Sequence, residues 1–255
     1  MKIMGGNMER MNQMKQLIIE PSLWKLFPDS EVGVLLLEDV NNTEEYHQFH
    51  RKAIERQLQE AGEEAMKYLK EPVLSQNPVV AVWREAFSKF KTKKGVRSSI
   101  EALLKRIDKG GGVGTISPLV DVYNSVSLRY ALPCGMEDLE TIQGNLRLTV
   151  TEGGDTFFAL GDEEASETLT GEVCYLDEAG AVCRFWNWRD GQRTMITNHT
   201  KRAIAVIESV DFSRHDVLVE ALDALGNLAE ELEIGKVFRK EILSKENPSV
   251  ELERD

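Results

Sequence analysis

Apolar residues along this chain fall into two regimes of spacing. Lys15 to Ile19 and Glu31 to Leu37 are short runs that predict strands, the second suited to a buried position. Between them, Ser22 to Phe27 allows one helical turn, stopped before Pro28. From Thr43 the period lengthens to three and four. Thr43 is placed to cap a long charged helix reaching about Lys70, with Glu45 and Tyr46 in its first turn. Phe49, Ala53, Ile54, Leu58, Ala61, Ala65, Met66 and Leu69 form its apolar stripe. A second helix is predicted over Pro78 to Phe90, with Val79, Val82, Trp83, Ala86, Phe87 and Phe90 turned inward. A third begins at Ser98 or Ser99, where a hydroxyl caps free N–H groups and Glu101 suits the positive helix end. Gly110 to Gly114 breaks it. Lacking the Lys-Ser/Thr of a phosphate loop, that run reads as a connector to a helix capped by Ser117 and opened by Pro118.

Beyond Asn145 the pattern shortens again. Leu146 to Val150, Thr156 to Leu160, Glu172 to Asp177, Ala181 to Trp186, Arg193 to Thr197 and Ala203 to Val210 are predicted strands. Asp177-Glu178-Ala179-Gly180 has the residues of a type I turn with Gly in the left-handed position, pairing Asp177 with Ala181, Tyr175 with Cys183 and Glu172 with Trp186. That register turns Val173, Tyr175, Cys183 and Phe185 to the core. It gathers Glu172, Arg184, Trp186 and Trp188 on the other face as a pocket wall. Arg214 to Ile234 returns to a helical stripe. The whole predicts an α+β fold: a mixed or mainly antiparallel sheet with packed helices, forming one domain over residues 15–236. Residues 1–14 read as a disordered start and 237–255 as a mobile tail.

Charge and composition narrow the function. A net charge of −12 argues against indiscriminate binding to phosphate backbones, so DNA is not expected as a partner. A nucleic-acid partner needs a local basic patch. Lys89, Lys91, Lys93, Lys94, Arg97, Lys105, Arg106 and Lys109 offer one, although charge alone favours a solvated helix face and loop. The chain has no apolar run long enough to span a bilayer and no leader pattern, which predicts a cytoplasmic protein without a membrane partner. Cys134, Cys174 and Cys183 suit neither a zinc set nor a disulfide framework. They read as reduced thiols, with Cys174 and Cys183 on opposite strand faces. His47, His50, His199 and His215 are scattered and read as surface residues, so no metal and no cofactor are expected. No Gly-x-Ser-x-Gly elbow is present, and Asp162-Glu163-Glu164 with Glu167 reads as loop charge.

Cys183-Arg184-Phe185-Trp186-Asn187-Trp188-Arg189 concentrates two indoles, an amide and two guanidiniums, a mixture suited to a pocket or its rim. Upstream stand Arg97 to Arg106, Pro118-Leu119-Val120-Asp121-Val122-Tyr123-Asn124-Ser125, Gly135-Met136-Glu137-Asp138-Leu139, Ile142-Gln143-Gly144 and Gly171-Glu172-Val173. This ordered set, over roughly Pro78 to Glu208, resembles free-standing B3/B4 domain proteins, relatives of the editing domain in the β subunit of bacterial phenylalanyl-tRNA synthetase. The resemblance implies a trans-editing factor that hydrolyses the ester of mischarged aminoacyl-tRNA. In that chemistry, positioned water and oxyanion donors stand in place of a covalent nucleophile.

By the same resemblance, Asn124 matches an Asn of the editing pocket, Tyr123 replaces a neighbouring Thr, and Gly135 stands where the synthetase has His. Asn124 is otherwise a helix residue bonding locally. Ser98 and Ser99 are either caps alone or receivers of the ester carbonyl or terminal ribose. Glu172 either pairs with Arg184 or binds the substrate's α-ammonium. Asn187 and Arg189 are candidates for the terminal nucleotide, with Trp186 or Trp188 stacking on its base. The rival readings are a non-catalytic module binding an amino acid or a tRNA end, and a protein-interaction domain.

Overall fold

A computed structural model describes residues 14–254 of the chain, so the predicted disordered start lies, Met14 apart, outside the described residues. β1 (Gln16–Ile19), α1 (Pro21–Leu26) and β2 (Glu31–Glu38) follow the predicted spans closely. α2 (Glu44–Ala65) starts where Thr43 Oγ1 accepts from Tyr46 N, so the expected cap is real. α3 (Pro78–Ser88) and α4 (Ser99–Asp108) come next, and Ser98 caps α4 through Glu101 N. α5 (Pro118–Tyr130) opens on its proline, yet Ser117 makes no side-chain cap bond. Instead the Asp121 carboxylate accepts from Ile116 N at 2.7 Å, and Asn42 Oδ1 from Leu119 N at 3.0 Å.

The strands that follow are β3 (Cys134–Asp138), β4 (Leu146–Val150), β5 (Thr156–Phe157), β6 (Ser166–Glu167), β7 (Val173–Asp177), β8 (Gly180–Arg184), β9 (Arg189–Asp190) and β10 (Ala203–Ser209). α6 (His215–Glu231), β11 (Lys236–Leu243) and β12 (Ser249–Glu251) complete the described fold. It is an α+β fold whose strand pairs are antiparallel except β1 with β4.

Two sheets carry the molecule, in the orders β12-β1-β4-β7-β8-β9 and β11-β2-β10-β3. Leu17, Leu148, Val173 and Tyr175 of the first meet Val34, Leu36 and Ile204 of the second in the main core, which α1, α3 and α4 help close. The outer face of the second sheet, with Leu35, Leu37, Ala205 and Ile207, is covered by apolar residues of α2, α5 and α6. Cys174 lies with Phe157 on the outer face of the first sheet, while Cys183 faces the main core. All three cysteines are free and buried.

Several expectations are corrected. Of the predicted mobile tail, 237–255, the described residues 237–254 are built into the fold: β11 pairs with β2, β12 pairs with β1, and Leu243, Val250 and Leu252 are buried. Their alternating charges suited a polar tail as well as a half-exposed edge strand. Arg193 to Thr197 forms turns with a single bridge from Met195 to Glu137. Phe49, placed on the α2 stripe, is 84% exposed. His47 is no surface histidine, because its Nε2 lies 3.3 Å from the buried Asp121 carboxylate and ties α2 to α5.

The β7–β8 hairpin keeps the Tyr175–Cys183 pair but joins Asp177 to Gly180, the register shifting by a bulge. Phe185 and Trp186 then take φ of 51° and 67°, a left-handed kink that breaks strand alternation. Trp186 is thereby turned inward, fully buried among Phe27, Trp83 and Phe90 at ring distances of 4.7, 5.3 and 6.3 Å.

Candidate functional site

Where the inner faces of the two sheets meet α4 and α5, side chains leave a cavity of about 400 Å³. β3 and β10 supply one wall. Ile204, Val206 and Glu208 point the same way along β10, and Gly135 and Glu137 face them from β3 in register. Tyr175, Val182, Cys183 and Trp186 supply the opposite wall, α5 contributes Val120, Tyr123 and Asn124, and α4 contributes Ser99, Ala102, Leu103 and Arg106. Asn187, Trp188, Arg189 and Asp190 also line it. The fold thus brings together seven of the predicted residues: Ser99, Tyr123, Asn124, Trp186, Asn187, Trp188 and Arg189, with Arg106 of the basic set beside them.

Their environments differ. Asn124 is 9% exposed, and its amide has no hydrogen-bond partner among the described residues. Ser99 Oγ is buried and equally unpartnered. Asn187 is fully engaged: its amide donates to Glu208 Oε2 at 2.7 Å and its Oδ1 accepts from Ser99 N at 3.2 Å. Tyr175 Oη donates to Glu208 Oε1 at 2.7 Å. Glu208 therefore stitches the second sheet to the first, and burial pushes its carboxyl up to about 7, against the lowering effect of these donors.

Burial also holds the Glu137 carboxyl well above the usual carboxylate range, reinforced by Asp190 and opposed by the Thr194 hydroxyl and Arg193, and its Oε2 is buried without a hydrogen-bond partner among the described residues. The Tyr123 phenol and the Cys134 and Cys183 thiols are pushed up by burial too, which leaves both thiols protonated and weakly nucleophilic.

Other predicted residues fall outside the cavity. Ser98 is a buried cap whose hydroxyl is spent on Glu101 N, and the adjacent Ser99 N–H is taken by Asn187, so two backbone donors of this helix start are already used. Glu172 is fully buried and does not line the cavity. It accepts from Arg184 Nε and Nη2 at 2.8 and 2.6 Å and from the backbone N–H of Leu169 and Phe185. That bidentate pair, not a substrate amine, is its partner. Trp186 walls the cavity but has no face free for a base, whereas Trp188 is half-buried with the Arg97 guanidinium 5.4 Å from its ring. Arg189, at the rim, donates to Asp162 at 2.8 Å.

Lys91, Lys93 and Lys94 are exposed on the loop before α4, Arg106 is exposed on α4, and Lys105 is half-buried. Arg97 links that loop to the cavity rim through Trp188.

Glu137, Glu208, Tyr175 and Asp190 were not among the predicted site residues. Glu208 had a signal: it continues the inward alternation Ile204, Val206 with a carboxylate, where an apolar residue belongs.

A family model described as B3/4 domain matches residues 82–220, more than half of the chain. Among curated proteins none matches. An N-terminal fragment of the phenylalanyl-tRNA synthetase β subunit from Pyrococcus horikoshii is similar in structure, at 11% identity and a TM-score of 0.45, over 93% of this chain and 54% of that one. The chain thus spans about half the length of that fragment. The matched stretch runs from α3 through the cavity-lining helices and strands into α6, and the chain belongs to the B3/4 domain family.

Proposed function

We propose that this protein is a free-standing trans-editing factor that hydrolyses the ester bond of mischarged aminoacyl-tRNA. The observation that carries the reading is the unpartnered amide of Asn124, held on a helix at the wall of a cavity of about 400 Å³. The cavity has room for an amino-acid side chain and its ester. An aminoacyl ester is already activated, so a fixed amide and a hydroxyl that orient water and steady the oxyanion are sufficient catalytic equipment. Asn124 takes the first part and Ser99 Oγ the second. The protonated cysteines fit a mechanism without a covalent thiol intermediate. Trp188 stacks on the terminal base, Arg106 meets the phosphate backbone, and Lys91, Lys93, Lys94 and Arg97 extend the contact along the acceptor stem.

The test is deacylation of a panel of mischarged tRNAs. Asn124→Ala is expected to lose on the order of a hundredfold in rate with tRNA binding retained. Full activity in folded Asn124→Ala protein would remove the residue assignment, and no deacylation of any substrate by the wild type would remove the reading. Changing Lys91, Lys93 and Lys94 to Ala should flatten the salt dependence of tRNA binding by about one unit of slope per lost contact. An unchanged slope would leave them as solubilising charge.

A further inference from the structure

The Glu137 carboxyl is the least explained group in the cavity. It is 9% exposed, with Oε2 buried and unpartnered, on the strand face that walls the cavity. Arg106 lines the cavity but is exposed on α4, and the guanidiniums of Arg193 and Arg189 are spent elsewhere. Arg193 binds both oxygens of Asp177 at 2.6 and 2.8 Å, and Arg189 binds Asp162 at 2.8 Å. Glu208 is satisfied by Tyr175 and Asn187, and Asp190 adds a further carboxyl to the same cavity. Interior acids with spent cations are stabilised by a ligand that brings its own positive charge.

The space beside Glu137 fits that occupant. Gly135 lies two residues away on the same strand face, and its backbone is not in the left-handed region that calls for glycine. A Cβ there would meet only Val206 Cγ2, at 4.0 Å. This glycine answers no demand of the fold. It leaves room, lined by Val206 and Ile204, for an alkyl chain leading to the carboxyl.

We propose that Glu137 receives an alkylammonium group of the ligand, so that the cavity selects amino-acid moieties by the ammonium they present. This rests on the editing reading for the nature of the substrate, while the recognition itself is independent of hydrolysis. The ammonium has two sources, the α-amine or an amine at the end of the side chain.

Calorimetric titration of the full chain with free amides tests it. Norleucinamide carries only the α-amine, 6-aminohexanamide only the terminal amine, and hexanamide neither. At least one amine is expected to bind roughly ten- to a hundredfold more tightly than hexanamide, and E137Q should abolish that preference, as loss of a charged hydrogen bond requires. The tighter amine identifies the source. Equal binding of hexanamide and both amines, or an undiminished preference in E137Q, would overturn the proposal. Should E137Q fail to fold, G135V takes its place, filling the room beside the carboxyl from an unstrained backbone. It should lose the amine preference, and keeping it would equally overturn the proposal. Amine binding through Glu137 without deacylation of any tRNA would sink the editing reading alone. Deacylation with no amine preference would sink this one alone.

Discussion

Replacing Glu172 with Gln separates a structural carboxylate from a substrate-binding one. In the native protein its two oxygens accept four hydrogen bonds, two from Arg184 and two from the backbone N–H of Leu169 and Phe185. Glutamine preserves the shape but presents an NH₂ where one oxygen stood, and it removes the charge. The Arg184 side chain, 3% exposed, then keeps one acceptor oxygen on residue 172 and Ser166 Oγ at 3.2 Å, but its buried charge loses its counterion. Breaking one side of such a buried pair costs about 3–5 kcal/mol. For a protein of this size that is a fall in Tm of roughly 6–20 °C.

The loss should be local in origin, because the Phe185 N–H bond anchors the left-handed kink that sets Trp186 and Trp188 in place. Thermal unfolding followed by circular dichroism measures it, and a double variant sharpens it. Glu172→Gln with Arg184→Met removes the orphaned guanidinium and should recover a large part of the fall. A Glu172→Gln protein melting within about 2 °C of wild type, yet unable to bind or deacylate substrate, would falsify the assignment and return Glu172 to the site.

Two further outcomes are expected. The Glu208 carboxyl is raised to about 7 when folded, above its ordinary value. The folded state therefore holds a proton that the unfolded chain has released, and the stability contributed below pH 4.5 is lost as pH rises through 7, by on the order of 3 kcal/mol. Denaturant titrations from pH 4.5 to 8 should show this fall, and Glu208→Gln should flatten it. An equal slope in both proteins would refute the burial argument. Val250→Asp, at a buried position paired with Leu17, should lower Tm by several degrees, and an unchanged Tm would mean that β12 contributes nothing to the fold.

Much of the fold was legible because its elements obey one rule at a time. β2 is a continuous apolar run, α3 and α6 carry clear stripes, and Thr43 and Ser98 cap the helices that follow them. Misreadings occurred where two rules compete. In β11, charges alternate with Val237 and Ile242 because the strand lies half-exposed at a sheet edge, a pattern shared with a solvated tail. Period-two counting put Trp186 on the outer face, and two positive φ angles, invisible in residues that rarely adopt them, returned it to the core. Within the site, Asn124, Tyr123 and Ser99 were reachable through motif resemblance and capping, and they do share the cavity. Glu137 was not singled out because Cys134 to Asp138 has no apolar run to mark it as a strand. Only its pairing with β10 turns that carboxyl inward.

The pairing of β1 with β12 has a consequence for how the fold can be used. Gln16 stands opposite Glu251 in antiparallel register, and Leu252 N bonds to Lys15 O at 2.8 Å, so the first and last strands begin and finish at the same edge of one sheet. A unit whose entry and exit lie side by side can be spliced into a surface loop of another protein without pulling the host apart. By the same geometry the start of β1 and the finish of β12 can be joined and the chain reopened at the exposed glycines around Gly112. The cavity, built from α4, α5 and the central strands, is remote in sequence from that seam, so the architecture is portable: the cavity would travel intact with the insert.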